Sequence, residues 1–452
     1  MIIPFRVKGG LAQKMLAMFS NGEQGVYFDP NNSATLFEDA AGTTPTSLER
    51  PVGLMRDLSG RGNHATSSST ARPTLTRRVN SLSNTEDFSN SVWVKSGSIT
   101  PSVAAPTFTT YTGIDPKGNT RTIYRFTFPN ISTSNGYSIL FQISSLAEQA
   151  SVQYTNSIYI KRVSGGTQLP ISLESSTTAP TSGGYSTSVL TVTDSWAQYS
   201  ATSTLSGTPS GNLTTIIGPD GRIASHLNLG AITVDVWGAD LRPANFGVNL
   251  PAYQRVGNTS VNAADYDTTG FPAWLRCSGG QSMVTPSINF TGTSKATVWA
   301  GVRKSGSTPY EILCELGPDN QPGGLVWCVN GASTASTYLA NYRTPTASAS
   351  FPDGGLNQTY IGALKYDRDG STGALSELSF RKNGAVVAGT QEGANSDSTG
   401  NFGNYPLYLF ARNQASLFFN GLAGPIIVRG AQSSAVEIAN AENWINAQQK
   451  VY

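Results

Sequence analysis

A chain of 452 residues has room for about three folding units at roughly 150 residues each. Charged residues make up only 13% of it, and 47 glycines and 24 prolines punctuate it densely. The net charge of +2, with no basic run longer than Arg77-Arg78, excludes a phosphate-neutralising surface, and no apolar stretch reaches the ~18 residues of a spanning helix.

Ser, Thr, Asn and Gln take the place of the missing charges. That profile suits short strands joined by turns and argues against a helical bundle, whose exposed faces draw on Glu, Lys and Arg. With 38% hydrophobic residues the chain has material for packed cores. Met1 to Leu11 lacks the charged region and apolar run of a secretory signal, so synthesis and folding in a cytoplasm are expected.

In chain order, residues 10 to 19 predict a short helix, with Leu11, Met15, Met18 and Phe19 at helical spacing and Asn21-Gly22 as a stop. The extended Ile2-Ile3-Pro4-Phe5 precedes it. Arm and helix form either a docking element or a local brace, and docking is favoured. Strand-like runs follow at Thr122 to Phe128, Ser157 to Val163, Trp196 to Thr202, Ala231 to Trp237, Ala296 to Val302, Thr359 to Leu364, Leu407 to Phe410 and Pro425 to Val428. Gly, Pro, Asn and Ser clusters separate them, a pattern of sandwiches or barrels. A last helix opens on the capping box Ser434 and Glu437, with Val436, Ala439, Trp444 and Ile445 as its apolar side.

Several motifs are more specific. Gly25-Val-Tyr-Phe-Asp-Pro, Gly42-Thr-Thr-Pro, Pro51-Val-Gly-Leu and Asp57-Leu-Ser-Gly-Arg-Gly-Asn-His-Ala come first. Asp267-Thr-Thr-Gly-Phe-Pro, Ile288-Asn-Phe-Thr, Val298-Trp-Ala-Gly-Val-Arg-Lys, Gly403-Asn-Tyr-Pro-Leu-Tyr-Leu, Phe419-Asn-Gly, Ile427-Val-Arg-Gly-Ala-Gln-Ser and Glu442-Asn-Trp-Ile-Asn come later. Together they resemble the concanavalin A-like (laminin-G-like) jelly roll of tailed-bacteriophage structural proteins. Between them stand Asn84-Thr-Glu-Asp-Phe-Ser-Asn-Ser-Val-Trp, Ser157-Ile-Tyr-Ile-Lys, Asp194-Ser-Trp-Ala-Gln-Tyr and Val234-Asp-Val-Trp-Gly-Ala-Asp-Leu. These resemble the carbohydrate-binding-module-like sandwich of phage head-spike and tail-fibre proteins.

The resemblance implies a mainly β chain of two β-sandwich (jelly-roll) domains, one inserted in the other, with short N- and C-terminal helices. Residues 1–21 form an attachment arm and helix, 22–79 and 255–452 a split jelly roll, and 80–254 the inserted sandwich. Three domains in a row are the alternative.

Candidate chemistry is sparse. Glu311 and Glu315 are the one stretch spaced like the paired carboxylates of a retaining glycosidase on this fold, but Leu313 stands where those enzymes carry an assisting Asp, so ordinary strand carboxylates are expected. The family's calcium-binding turn, Asp-Gly-x-Asp-Asp, is here Ser278-Gly-Gly-Gln-Ser282, too poor in charge for a hard cation. Asp367, Asp369 and Asp397 read as turn formers. Asp57, Ser59 and His64 invite a triad reading, yet three residues of one turn-rich stretch suit the satisfying of loop amides better. Cys277, Cys314 and Cys328, an odd set, read as buried thiols, although Cys314 and Cys328 could face each other; with His64 and His226 they offer no zinc spacing. Trp93, Trp196 and Trp237 are expected in the core, while Tyr111, Tyr185, Tyr338 and Tyr342 lie in loop-like surroundings as contact candidates. No catalytic, metal, cofactor or glycan residue is singled out.

The expectation is a non-enzymatic protein of the virion surface, a tail-fibre or baseplate-associated receptor-binding or glycan-adhesion protein. A capsid decoration or head-fibre protein is the alternative, and a polysaccharide-degrading enzyme a more distant one. Its expected partners are other virion proteins, of the tail and baseplate or the capsid, a host-surface glycan and two further copies in a homotrimer. No cofactor, nucleic acid or membrane insertion is expected.

Overall fold

The computed structural model describes residues 10–67, 71–147, 149, 152–175, 185–205, 211–258, 262–342, 346–369, 374–392 and 400–452. The fold is mainly β and is built from antiparallel sheets of short strands. It divides into two compact units: Met1–Arg77, Phe246–Leu250 and Gly270–Tyr452 form the first, Arg78–Asn245 and Pro251–Thr269 the second.

Two sheets enclose the core of the first unit. One has Lys295–Lys304 at its centre, between Thr359–Asp367 and Asn420–Arg429; the other pairs Asn404–Leu409 with Met283–Asn289 and Ile312–Leu316. Val298, Val302, Leu364 and Val428 from the first sheet share one core with Leu316, Trp327, Leu339 and Leu409 from the second. Lys295–Lys304 is buried along nearly its whole length, so both of its faces are covered. Its other face carries Trp299, which joins Tyr27, Ile361 and Ile427 beneath the C-terminal helix Ala435–Gln449. That helix approaches closely because Gly301 has no side chain: a Cβ there would stand 3.3 Å from Gln449 Cγ and 3.4 Å from Ile445 Cγ2.

The capping box forms as expected, with the Glu437 amide donating to Ser434 Oγ and the Ser434 amide donating to Glu437 Oε2. Trp444 and Ile445 are buried as expected, but the buried side of this helix otherwise differs from the expected one. It runs through Ile438, Ala441, Trp444, Ile445 and Gln449, whereas Val436 and Ala439 face outwards. Positions 436, 439 and 443 share one stripe and 438, 441 and 445 another, and the second carries the large side chains that the sheet needs. The N-terminal helix, Leu11–Ala17, buries Met15, and Met18 and Phe19 just beyond it, in the same cluster as Trp444 and Ile438. Its apolar side therefore has a partner within its own unit, as a brace requires. The arm Ile2-Ile3-Pro4-Phe5 lies outside the described residues.

The second unit is a sandwich of two five-stranded sheets. One orders Ala197–Thr204, Gln153–Gly165, Ile232–Pro243, Thr120–Phe128 and Thr107–Ile114; the other orders Tyr185–Thr191, Gln168–Ser175, Asn212–Ile217, Ser138–Ala147 and Val94–Gly97. Phe88, Phe126 and Trp93 pack together inside, and the Trp93 indole donates to the Asn84 carbonyl at 2.9 Å, so Trp93 is core as expected. The two chain segments that bound this unit run side by side. Asn80 Oδ1 accepts the amides of Leu82 and Leu241, and its Nδ2 donates to the carbonyls of Ala239 and Gln254. Gln254 Oε1 in turn accepts the amides of Val79 and Asn80.

All eight strand-like runs fall on strands, extended by a few residues at most ends. Strands rich in Thr and Ser, such as Thr107–Ile114, had no counterpart among them.

Candidate functional site

The site builds up from strand alternation in the second unit. In Ile232–Pro243, Val234 and Val236 point into the sandwich, so Asp235 and Trp237 point out of it. Pairing sets Tyr159 opposite Trp237 and Arg125 opposite Asp235, and these share the outer face with Tyr111 and Ile123. Gly238 follows in the left-handed region at φ +63°, where a Cβ would lie 3.3 Å from the rings of Tyr159 and Tyr253. Tyr253 therefore closes on Trp237, centroids 4.9 Å apart and ring planes inclined at 62°, while Tyr159 meets Trp237 edge-on at 5.5 Å. Half-buried Trp196 completes the cluster, its indole donating to the Ile114 carbonyl at 3.1 Å.

Charge is laid over these rings. Lys117 Nζ stands 5.5 Å from the Trp237 ring centre and 4.9 Å from that of Tyr253. Across the face, Arg125 holds Asp235 through two hydrogen bonds of 2.8 and 3.2 Å, and Tyr111 donates to the same carboxylate at 2.7 Å. Beside the cluster opens a cavity of about 260 Å³ lined by Asn84, Glu86, Arg121, Trp237, Arg255 and their neighbours. Glu86 accepts the Tyr253 hydroxyl at 3.2 Å, and burial pushes its carboxyl above the usual range. Trp237 and Tyr253 are buried beneath Lys117, so the ring surface left open is that of half-buried Tyr159 and Trp196, where an apolar sugar face can lie while hydroxyls meet neighbouring polar groups.

Trp237 is buried as expected, though in a cluster on the outer face of its sheet, whereas half-buried Trp196 departs from the core placement read in the sequence. Val234-Asp-Val-Trp looks uniformly apolar unless Asp235 is taken to set the facing. The contact candidates also sit differently: Tyr111, Tyr185 and Tyr338 are on strands, and Tyr342 is buried against Arg412. Lys117, Tyr253, Glu86, Arg121 and Arg255 went unnoticed, since they come from separated segments and belong to no motif.

The remaining candidates have structural partners. Glu311 accepts the amides of Thr308 and Asn420, and Glu315 is paired with Arg412 at 3.2 Å; both are buried, and burial holds both above the usual carboxylate range. Glu315 lies within the strand Ile312–Leu316 and Glu311 just before it, with a register shift between Ile312 and Cys314, so the simple i, i+4 facing does not hold. Asp57 accepts the amides of Tyr27, Ser59 and Asn63 and the Ser59 hydroxyl, and His64 Nδ1 accepts the Asp57 amide. The trio thus knits a loop together. Gln281 closes its turn onto Ser278 through two hydrogen bonds, and Asp397 lies outside the described residues. Cys277, Cys314 and Cys328 are buried free thiols, with Cys314 in the sandwich core and Cys328 in a separate cluster.

No family model matches the chain, and no curated protein matches it. Solved structures resemble it over parts of its length. The CBM40 domain of the Ruminococcus gnavus IT-sialidase, bound to α2,6-sialyllactose, is 13% identical over 37% of this chain and 95% of its own, with a TM-score of 0.28. Domain 4 of AbnA, an extracellular arabinanase of Geobacillus stearothermophilus in complex with arabinotriose, is 14% identical over 41% of this chain and 82% of its own, at 0.27. The enzymatically active domain of tailspike protein 4 of bacteriophage CBA120 is 14% identical over 37% of this chain and 22% of its own, at 0.26. Likeness at these scores carries no conclusion about ligand or activity; the antiparallel β-sandwich class rests on the strands and sheets described above.

Proposed function

We propose that this protein belongs to the surface of a tailed-phage particle, where it works without catalysis as a tail-fibre or baseplate-associated adhesin for host-surface glycan. The observation that carries the reading is the outer face of the second unit, with Tyr159, Trp196, Trp237 and Tyr253 clustered under Lys117 beside an open cavity. The sequence motifs supply the particle: they resemble phage structural proteins with a concanavalin A-like jelly roll. A non-catalytic role is supported by Glu311 and Glu315, whose oxygens are occupied by backbone amides and by Arg412. Three copies in a homotrimer would multiply a weak single-site affinity through avidity, with the Ile2-Ile3-Pro4-Phe5 arm, ahead of the packed helix Leu11–Ala17, as the attachment to other virion proteins.

A capsid decoration or head-fibre role is the second reading. It is favoured by the sequence, which has no heptad or collagen-like stem of the kind a long fibre uses. Antibody-gold labelling of purified particles separates the two: label at the tail tip supports adhesion, label over the head supports decoration, and unlabelled particles refute both. Binding by the intact protein to immobilised host polysaccharide is expected to weaken by about three- to tenfold in Tyr159→Ala and in Trp196→Ala. Unchanged binding in both variants refutes the assignment of this face.

A further inference from the structure

The first unit has a cavity of its own, of about 650 Å³, where the turn after Gly25–Phe28 meets the N- and C-terminal helices. Its apolar wall is Ala12, Leu16, Tyr27, Ala34, Leu58 and Trp444, with the Tyr27 and Trp444 rings edge to face at 5.2 Å. Asp29 is set into this wall at 8% exposure. One of its oxygens, Oδ1, accepts the Asn31 amide at 2.9 Å and the Asn31 side chain at 3.1 Å. The other, Oδ2, has no partner among the described residues and is not sealed from solvent.

The surrounding charges leave that oxygen uncompensated. Arg77 is the cation whose charge reaches Asp29, and it donates to the Phe271 carbonyl. Arg56, also on the cavity wall, is exposed and lies over the Phe37 ring at 4.4 Å. Both oxygens of Asp57 are committed, to the Tyr27, Ser59 and Asn63 amides and the Ser59 hydroxyl. Burial raises the Asp29 carboxyl in spite of its bonds to Asn31, as it does for a carboxylate without a contacting cation. No group of three or more metal-ligating side chains occurs among the described residues, so this lone oxygen suits an organic cation better than a metal ion. Around it, the side-chain amides of Asn32 and Gln448 have no partners among the described residues. His64, whose Nδ1 accepts the Asp57 amide, carries its ring proton on Nε2 while neutral.

We propose that this cavity binds the ammonium group of an amino sugar, with Asp29 Oδ2 as the accepting oxygen and Asn32, Gln448 and His64 as partners for hydroxyls. That the amine is carried on a sugar rests on the glycan-adhesion reading; the site itself is separate from the aromatic face of the second unit. An ammonium brings three N–H donors and the charge that the buried carboxylate lacks, and hydrogen bonds between ionised partners are roughly twice as strong as neutral ones. N-acetylation of the same sugar removes the charge and leaves a single amide N–H to face Asp29. The cavity thus selects the free amine over its acetylated form.

The test is array binding by the full-length protein to glucosamine oligosaccharides, each beside its N-acetylated counterpart, with host polysaccharide on the same slide. Wild type is expected to hold the amines at least about tenfold more tightly than the acetylated forms. Asp29→Asn keeps an oxygen to accept from Asn31, so its melting should stay close to that of wild type while the preference disappears. Ala34→Trp, at an exposed position of the wall, narrows the cavity with the carboxylate in place and should weaken amine binding. Amines and acetylated forms bound alike, a preference that survives in Asp29→Asn, or amine binding untouched by Ala34→Trp overturns the inference. Host polysaccharide bound with no amino sugar bound overturns it too and leaves glycan adhesion standing. A slide on which nothing binds overturns both.

Discussion

Arg412→Met tests whether Glu315 is part of the scaffold or a reactive group. Glu315 is fully buried, and Arg412 Nε lies 3.2 and 3.3 Å from its two oxygens while Nη2 donates to the Tyr342 hydroxyl at 2.7 Å. Removing the guanidinium leaves a carboxylate buried without its cation, a change that costs about 3–5 kcal/mol. At about 2–4 °C per kcal/mol for a unit of this size, its melting transition should fall by roughly 6–20 °C at pH 8. The pH dependence has a definite sign. Burial already raises Glu315, and loss of Arg412 raises it further. A carboxyl whose folded pKa lies above its unfolded value favours the fold below that range and penalises it above. The deficit should therefore shrink as pH falls from 8 to 5. Pairing Arg412→Met with Glu315→Leu removes charge and counter-charge together and should restore most of the loss. Scanning calorimetry of the three variants at both pH values is the assay. A single variant that melts like wild type at pH 8, or a deficit that deepens on acidification, refutes the scaffold role.

Ser434→Ala removes the oxygen that accepts the Glu437 amide and should cost about 1 kcal/mol, seen as faster amide exchange in the first turn of Ala435–Gln449. His226 is buried with Nδ1 accepting the Asp220 amide and Nε2 beside the Thr187 hydroxyl, and burial pushes its pKa down to about 4. Its neutral ring supports the second unit fully above its unfolded pKa of about 6.5, and that support is lost as pH falls towards 4. Titration of His226 by NMR would check it; a ring that protonates near 6.5 in the folded protein contradicts the prediction. Cys314, held up at about 12, and its two buried companions should resist alkylation until the fold opens. Rapid labelling of the native protein would refute that.

The strands that could be read in the sequence are those with apolar residues on alternate positions or throughout. Lys295–Lys304 is legible because both faces are buried, and Ile232–Pro243 because its core face carries consecutive valines. Thr107–Ile114 was invisible for the opposite reason: almost all of it is exposed, so burial imprinted no alternation on its threonines. The C-terminal helix showed its start but not its facing, since the stripe that packs is chosen by the sheet beneath it. The candidate site was harder still. Trp237 and Asp235 are neighbours whose facing alternation implies, but Lys117, Tyr253 and Glu86 reach Trp237 only through folding, and no local pattern marks them.

How the second unit holds its ends together explains why a break in the sequence of the first need not disrupt either. Asn80 stands at the crossing, bonded to Leu82, Ala239, Leu241 and Gln254 and 1% exposed. Asn80→Leu would fill much the same volume and leave four backbone groups without partners. Carbonyls tolerate that better than amides, so the cost lies mainly in the N–H groups of Leu82 and Leu241, about 1–3 kcal/mol each. Asn80→Asp keeps the acceptor for those amides while losing both donors, and should fall between the two at neutral pH. Amide exchange reads the effect where it arises. Leu82 and Leu241 should lose protection together in Asn80→Leu and keep most of it in Asn80→Asp, while Val428, in the core of the first unit, stays as slow as in wild type. If both amides remain fully protected in Asn80→Leu, the clamp does not hold the ends of the unit, and sandwich packing alone must do so.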